Sequence, residues 1–386
     1  MRRKGYMNMR KVFKQMLATV AAGAMSMAMV MPVFAEDIKT AQKEAWISKT
    51  YNTEVAKAEA FSFTATQKNG NGLVSTEALP TMPTISFTET DKGTITNRAK
   101  VEFPTYTEAG KYEYTVTENQ TATPAVANGK HEKMIMSKAE YKMDVYVENT
   151  STGCQIANII ANKAKDDKGE TTTATGKVDI SNTDKNGFKF TNTYVQEAGT
   201  GDKPSDPDGD YTKYGSLNVS KKIELNENGG TASTTDEFSF QATFNFPAGT
   251  DASTLDGVKA NDAPITLTKG AYDFTLQNGG NEKFTGLPVG TTMTVTESAT
   301  PNYKGSANVT INGANKSTVA ATKYNEAITV SNKKLGQKKN AVDVTNTYNN
   351  VPLTGIIMNN LPYIAMIVIG AAALVVYVQN KRKNLQ

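Results

Sequence analysis

Phe61-Ser-Phe-Thr-Ala-Thr66 returns later in the chain as Phe238-Ser-Phe-Gln-Ala-Thr243, identical at five of six positions. Two further pairs follow in the same order: Tyr114-Thr-Val-Thr-Glu118 with Met293-Thr-Val-Thr-Glu297, and Phe190-Thr-Asn-Thr-Tyr194 with Val344-Thr-Asn-Thr-Tyr348. Three ordered matches identify a duplicated unit. The motifs are rich in Thr, Val, Tyr and Phe at the period-2 alternation of a half-buried strand, and the intervening sequence is punctuated by Gly, Asn and Asp clusters without long helical periodicity. The sequence therefore predicts an all-β protein with two tandem domains.

Between the copies stands Glu197-Ala-Gly-Thr-Gly-Asp-Lys-Pro-Ser-Asp-Pro-Asp-Gly-Asp210, which has the Gly/Pro/Asp composition of a solvated linker. The expected layout is a first domain over 36–195, a linker over 196–215 and a second domain over 216–350. Asp206, Asp208 and Asp210 alternate, but the stretch lacks the spacing and distal Glu of an EF-hand loop, so no metal is expected there.

The two ends carry targeting signals. Six basic residues and no acid occupy 2–14, an apolar run covers Met16 to Val33, and Val33-Phe-Ala35 offers small residues at a signal-peptidase site. Residues 1–35 read as a signal peptide. At the far end Val351, Pro352, Leu353, Thr354 and Gly355 precede a mostly apolar stretch, Ile356 to Val378, long enough to span a bilayer, and then the basic cluster Lys381-Arg-Lys383. The order of 351–386 resembles the sorting signal of Gram-positive surface proteins, Leu-Pro-x-Thr-Gly, with Val351 in place of the leucine. That resemblance implies a sortase whose cysteine attacks the carbonyl between Thr354 and Gly355 and passes the chain to an amine on peptidoglycan or on another subunit. The transmembrane helix would then belong to the precursor alone.

Of 42 basic residues, six lie in the signal and three in the tail, leaving 33 against 38 acids, all of them within 36–354. The processed chain is acidic by about five charges, which removes the electrostatic basis for binding nucleic acid. One cysteine, Cys154, excludes a disulfide framework, and one histidine, His131, makes a Cys-His or Ser-His-Asp catalytic centre a poor reading. No cofactor motif is present, and an enzyme with turnover is not expected.

The parity of the repeated motifs carries the chemistry, because alternate residues of a strand share a face. In Leu217-Asn-Val-Ser-Lys-Lys-Ile223, Lys221 shares a face with Leu217, Val219 and Ile223; in the first unit Lys49 shares one with Ile47 and Tyr51. Glu118 sides with Tyr112, Tyr114 and Val116, and Glu297 with Met293 and Val295. Asn192 sides with Phe188, Phe190 and Tyr194, and Asn346 with Val342, Val344 and Tyr348. Asn332, in Ile328-Thr-Val-Ser-Asn332, is an alternative to Asn346, which is preferred for its Thr-Asn-Thr-Tyr setting. A lone buried Lys or Glu is costly, so a Lys, a Glu and an Asn facing inward twice calls for chemistry that removes the charges. Burial lowers a lysine's pKa and raises a glutamate's. A neutral amine can then attack the Asn side-chain carbonyl while a protonated Glu polarises it, leaving an amide and ammonia in a single turnover.

These residues resemble the pilin isopeptide-linkage domains of Gram-positive pili and related Cna-B-like modules, with a Lys on the first strand, a Glu in a Thr-Val-Thr-Glu box and an Asn on the last strand. The resemblance covers roughly 45–348. It implies Ig-like β-sandwiches, a Lys49–Asn192 bond promoted by Glu118, and a Lys221–Asn346 bond promoted by Glu297. It further implies a major or backbone pilin, secreted and wall-anchored on a Gram-positive bacterium, with sortase, neighbouring pilin subunits and peptidoglycan as covalent partners. Lys185, in the turn Asp184-Lys-Asn-Gly187, is the candidate intersubunit acceptor, with Lys213 another; no Tyr-Pro-Lys acceptor motif occurs. The alternative is a singly anchored adhesin or stalk binding a host surface ligand, for which no residue identifies a site.

Overall fold

A computed structural model describes residues 41–70, 72–75, 78–183, 186–225 and 232–349. The signal peptide, Lys185, the sorting motif and the apolar C-terminal stretch lie outside these residues. Among the described residues the only helix is the single short one at Gly209–Tyr214, and no helix is long and apolar enough to cross a membrane. The protein is all-β.

The described residues form four sheets, two from each half of the sequence. In the first half one sheet orders Gly93–Lys100, Trp46–Thr53, Phe188–Gln196 and Glu132–Ile135 side by side. The other has six strands, with Glu59–Lys68, Gly110–Glu118 and Glu140–Thr150 at its centre. The alternation read from the sequence drives them together: Phe61, Phe63 and Ala65 are buried while Thr64 and Thr66 face solvent. Rings from the two sheets meet at Phe63–Phe190 (centroids 5.0 Å apart), Tyr51–Phe61 (5.4 Å) and Tyr141–Phe188 (5.2 Å), closing a sandwich. The second half repeats the plan. Phe238, Phe240, Ala242 and Phe244 are buried on one strand, and Phe238–Tyr303 and Phe244–Phe284 bridge its two sheets.

In each half the opening and closing strands are parallel neighbours. Trp46–Thr53 pairs with Phe188–Gln196, and Leu217–Leu225 with Ala341–Tyr348. Parallel neighbours need a long connection, and here that connection is nearly the whole half.

The stretch expected to be a solvated linker is solvated only in its second part. Gln196, Glu197, Ala198 and Thr200 are buried, and Asp202 to Asp206 lie mostly at the surface. The cause is Glu197, whose carboxylate receives the hydroxyls of Tyr211 (2.8 Å) and Ser216 (2.7 Å), the Gly286 N–H (2.5 Å) and His131 Nδ1 (2.6 Å). Burial pushes its pKa up, but the bonds from His131, Gly286, Ser216 and Tyr211 prevail and hold it below the usual value. Gly199 (φ 81°) and Gly215 (φ 60°) pass back to back, and a Cβ on Gly199 would stand 2.2 Å from the Gly215 carbonyl oxygen. Asp208 caps the helix, its Oδ1 accepting from the Asp210 and Tyr211 N–H groups.

Candidate functional site

Strand register brings the sequence-predicted residues together in the same way twice. Across the parallel pair Lys49 lies opposite Phe190 and Asn192 opposite Tyr51, so lysine and asparagine are diagonal neighbours on one face, offset by two residues. In the second half Lys221 lies opposite Val344 and Asn346 opposite Ile223, the same offset. The glutamates come from the facing sheets, each at the end of its strand: Glu118 registers against Phe63, and Glu297 against Phe240. All six side chains are buried, Lys49 and Asn192 completely.

In the first site Lys49 Nζ stands 2.5 Å from Glu118 Oε1, and Asn192 Nδ2 donates to the same oxygen at 3.0 Å. In the second, Lys221 Nζ and Asn346 Nδ2 both donate to Glu297 Oε1 at 2.7 Å. One carboxylate oxygen thus touches the amine and the amide nitrogen at once. This differs from the expectation that Glu would meet the Asn carbonyl. In the first site the Asn192 oxygen is committed elsewhere, because Oδ1 accepts the Ser137 N–H at 2.7 Å, and an N–H cannot donate to the amide nitrogen. Asn346 Oδ1 has no hydrogen-bond partner among the described residues.

The electrostatics follow from the burial. Desolvation lowers Lys49 from its ordinary range to about 8, against the pull of Glu118, and lowers Lys221 to about 8 against Glu297. Burial raises both glutamates, the facing lysine working in the opposite direction. Aromatic rings complete each wall. Lys49 Nζ lies 4.5 Å from the Phe61 ring centroid and Lys221 Nζ 3.9 Å from that of Phe238. These are the first phenylalanines of the repeated Phe-Ser-Phe motif, whose role at the site the repeat alone did not reveal. A neutral amine, a shared proton-carrying carboxyl and an amide in an apolar enclosure can exchange the amide's ammonia for the lysine.

The other candidates fall apart from this arrangement. Asn332 is exposed, with φ 52°, in a bulge where the register against Met293 and Val295 slips. The extra residue turns it off the apolar parity that the sequence assigned. His131 is held by Glu197, and the Cys154 thiol donates to Asn149 Oδ1 at 3.2 Å, so they form no dyad. Ser137 and Asp167, both close to the first site, carry no motif, and the sequence offered no signal for either.

Residues 45–195 match the family model described as a Spy0128-like isopeptide containing domain. Residues 215–348 match one described as a domain of unknown function (DUF7601). No curated protein matches the chain. Among solved structures, the major pilin from Streptococcus pyogenes aligns at 20% identity over 79% of this chain and 98% of its own, with a TM-score of 0.32. The T3.2 major pilin protein from Streptococcus pyogenes serotype GAS13637 aligns at 18% identity over 80% and 98%, with a TM-score of 0.30. At such TM-scores the superpositions establish no shared overall arrangement. The match of residues 45–195 to the Spy0128-like isopeptide-containing domain supports the resemblance to Gram-positive pilin subunits read from the sequence.

Proposed function

We propose that the chain is a structural subunit of a Gram-positive surface pilus whose halves each close one Lys–Asn amide bond after folding. The observation that carries this reading is the recurrence, in the same strand register, of two buried Lys–Glu–Asn sets in which one carboxylate oxygen contacts both amine and amide. In each, the lysine Nζ attacks the Asn Cγ, a Cγ–Nζ bond forms, the Cγ–Nδ2 bond breaks and ammonia leaves. The proton lost by Nζ reaches the departing nitrogen through the glutamate, so no outside reactant is needed. Lys49 would join Asn192 with Glu118, and Lys221 would join Asn346 with Glu297.

Polymerisation is the second element of the proposal. A sortase would cleave between Thr354 and Gly355 and transfer Thr354 to a lysine of a neighbouring subunit, Lys185 being the candidate acceptor, or to peptidoglycan at the base. The sorting motif and basic tail of the sequence support it.

Intact mass of recombinant residues 36–354 tests the cross-links. The expected value is two ammonia masses below the calculated one, with one restored by Glu118→Ala and the other by Glu297→Ala; an unshifted wild-type mass rejects them. Wall extracts test the polymer: a ladder surviving boiling in detergent is expected, and a single monomer-sized species rejects a shaft subunit.

A further inference from the structure

The two sites differ in what meets the Asn side-chain oxygen. Asn192 Oδ1 receives the Ser137 N–H, whereas Asn346 Oδ1 faces Gly305, where a Cβ would sit 3.1 Å away, and has no donor among the described residues. We propose that the backbone N–H of Ser137 stabilises the oxyanion that forms on Asn192, that Asp167 positions it, and that the first half therefore closes its bond faster than the second. This rests on the cross-linking reading and assigns roles within it.

When Lys49 Nζ bonds to Asn192 Cγ, the carbonyl π electrons move onto Oδ1. The charge develops on an atom that already holds an N–H at 2.7 Å, in a site closed to water. A fixed donor at that position acts where charge appears and needs no reorganisation. The electrons then return to re-form the carbonyl as ammonia, protonated through Glu118, departs. Glu118 serves the nitrogens and Ser137 the oxygen, a division that the shared Oε1 contacts impose.

Ser137 is fixed on three sides. Its hydroxyl donates to Asp167 Oδ1 at 2.5 Å, and that same oxygen accepts the Thr191 N–H at 2.9 Å, one residue before Asn192. The Asp167 carbonyl accepts the Lys138 N–H at 3.0 Å. Gln120 Nε2 donates both to the Ser137 carbonyl (2.8 Å) and to the Glu118 carbonyl (3.1 Å). Asp167 thus ties the donor segment to the closing strand, and Gln120 ties it to the strand bearing the general acid. Asp167 touches no reacting atom and is a positioning residue.

The test follows both bonds in one molecule. The full chain, synthesised cell-free and held in urea, is diluted into buffer, and each cross-linked peptide is timed by mass spectrometry; Trp46, the only tryptophan, reports folding of the first half by fluorescence. In the wild type the Lys49–Asn192 peptide is expected first. Placing lactic acid at position 137 by nonsense suppression replaces the N–H with an ester oxygen, with Ser137→Ala as its control. Relative to that control, closure of the first bond should slow on the order of a hundredfold, with the second unchanged. Asp167→Ala should also slow the first bond alone. Asp167→Asn, whose amide oxygen can still accept from Ser137 and Thr191, should restore it. Equal rates for ester and control, or an Asp167→Ala rate equal to wild type, overturn the proposal while leaving the cross-links intact. Loss of ammonia from neither half of the wild type overturns the cross-linking reading and this proposal with it.

Discussion

At the residue scale the decisive quantity is how many protons a buried Lys–Glu pair holds. With one proton between them the pair is either an ammonium facing a carboxylate or an amine facing a carboxylic acid, and an apolar enclosure favours the neutral arrangement. That arrangement is also the reactive one, since the amine is free to attack and the acid has a proton for the leaving nitrogen. The pH dependence follows with its sign. On the alkaline side, in the range marked by Lys49, which burial lowers to about 8, the pair loses its one shared proton; the amine stays nucleophilic but the ionised Glu118 cannot protonate the departing nitrogen. At pH low enough to protonate Glu118 while Lys49 stays charged, the pair gains a second proton and the ammonium cannot attack. The rate of ammonia loss after dilution from urea should therefore be bell-shaped, falling on the alkaline side from about pH 8. Mass spectrometry of samples quenched across pH checks this, and a rate still rising beyond pH 10 would contradict the proton-sharing role of Glu118.

At the scale of the element, the fold makes the site by register alone. Two parallel strands with a two-residue offset set lysine beside asparagine, and a strand ending in the facing sheet delivers the glutamate. Strand parity made this legible in the sequence, because a period of two leaves each residue only one of two faces. Lys49, Glu118 and Asn192 follow that rule, as do Lys221, Glu297 and Asn346. Asn332 does not, because the parity count fails across a bulge and no residue nearby announces one. Nor was Glu197 legible, since Gly/Pro/Asp composition describes the exposed part of its segment but is silent on four donors arriving from elsewhere in the chain. Ser137 acts through its backbone, which any residue possesses, so sequence could not single it out. The bulge yields a separable expectation. Asn346→Ala should abolish the second ammonia loss, while Asn332→Ala should leave both, as intact masses of the two variants would show. A mass deficit retained in Asn346→Ala and lost in Asn332→Ala would transfer the role.

At the scale of the molecule, the proposed cross-links would reroute force. A pull entering at the opening strand of the first half would cross from Lys49 to Asn192, leave through the closing strand, pass the buried segment around Glu197 and cross again from Lys221 to Asn346. Residues 50–191 and 222–345 would bear no tension. The same bonds would restrict the unfolded chain, and closing loops of this length would contribute roughly 5 kcal/mol each by the loop-entropy treatment, comparable with the whole stability of an ordinary domain. Glu118→Ala and Glu297→Ala separate the two contributions without touching the bonded residues. Pulled from its ends, the wild-type chain should extend without releasing either loop. The Glu118→Ala chain should show one event of about 50 nm and the Glu297→Ala chain one of about 45 nm, at up to 3.6 Å per freed residue. Single-molecule force spectroscopy reads these lengths directly. Full-length unfolding of either half in the wild type would mean that tension runs through the hydrogen-bonded ladders, and that the pairing of first and last strands serves the fold without shielding it from load.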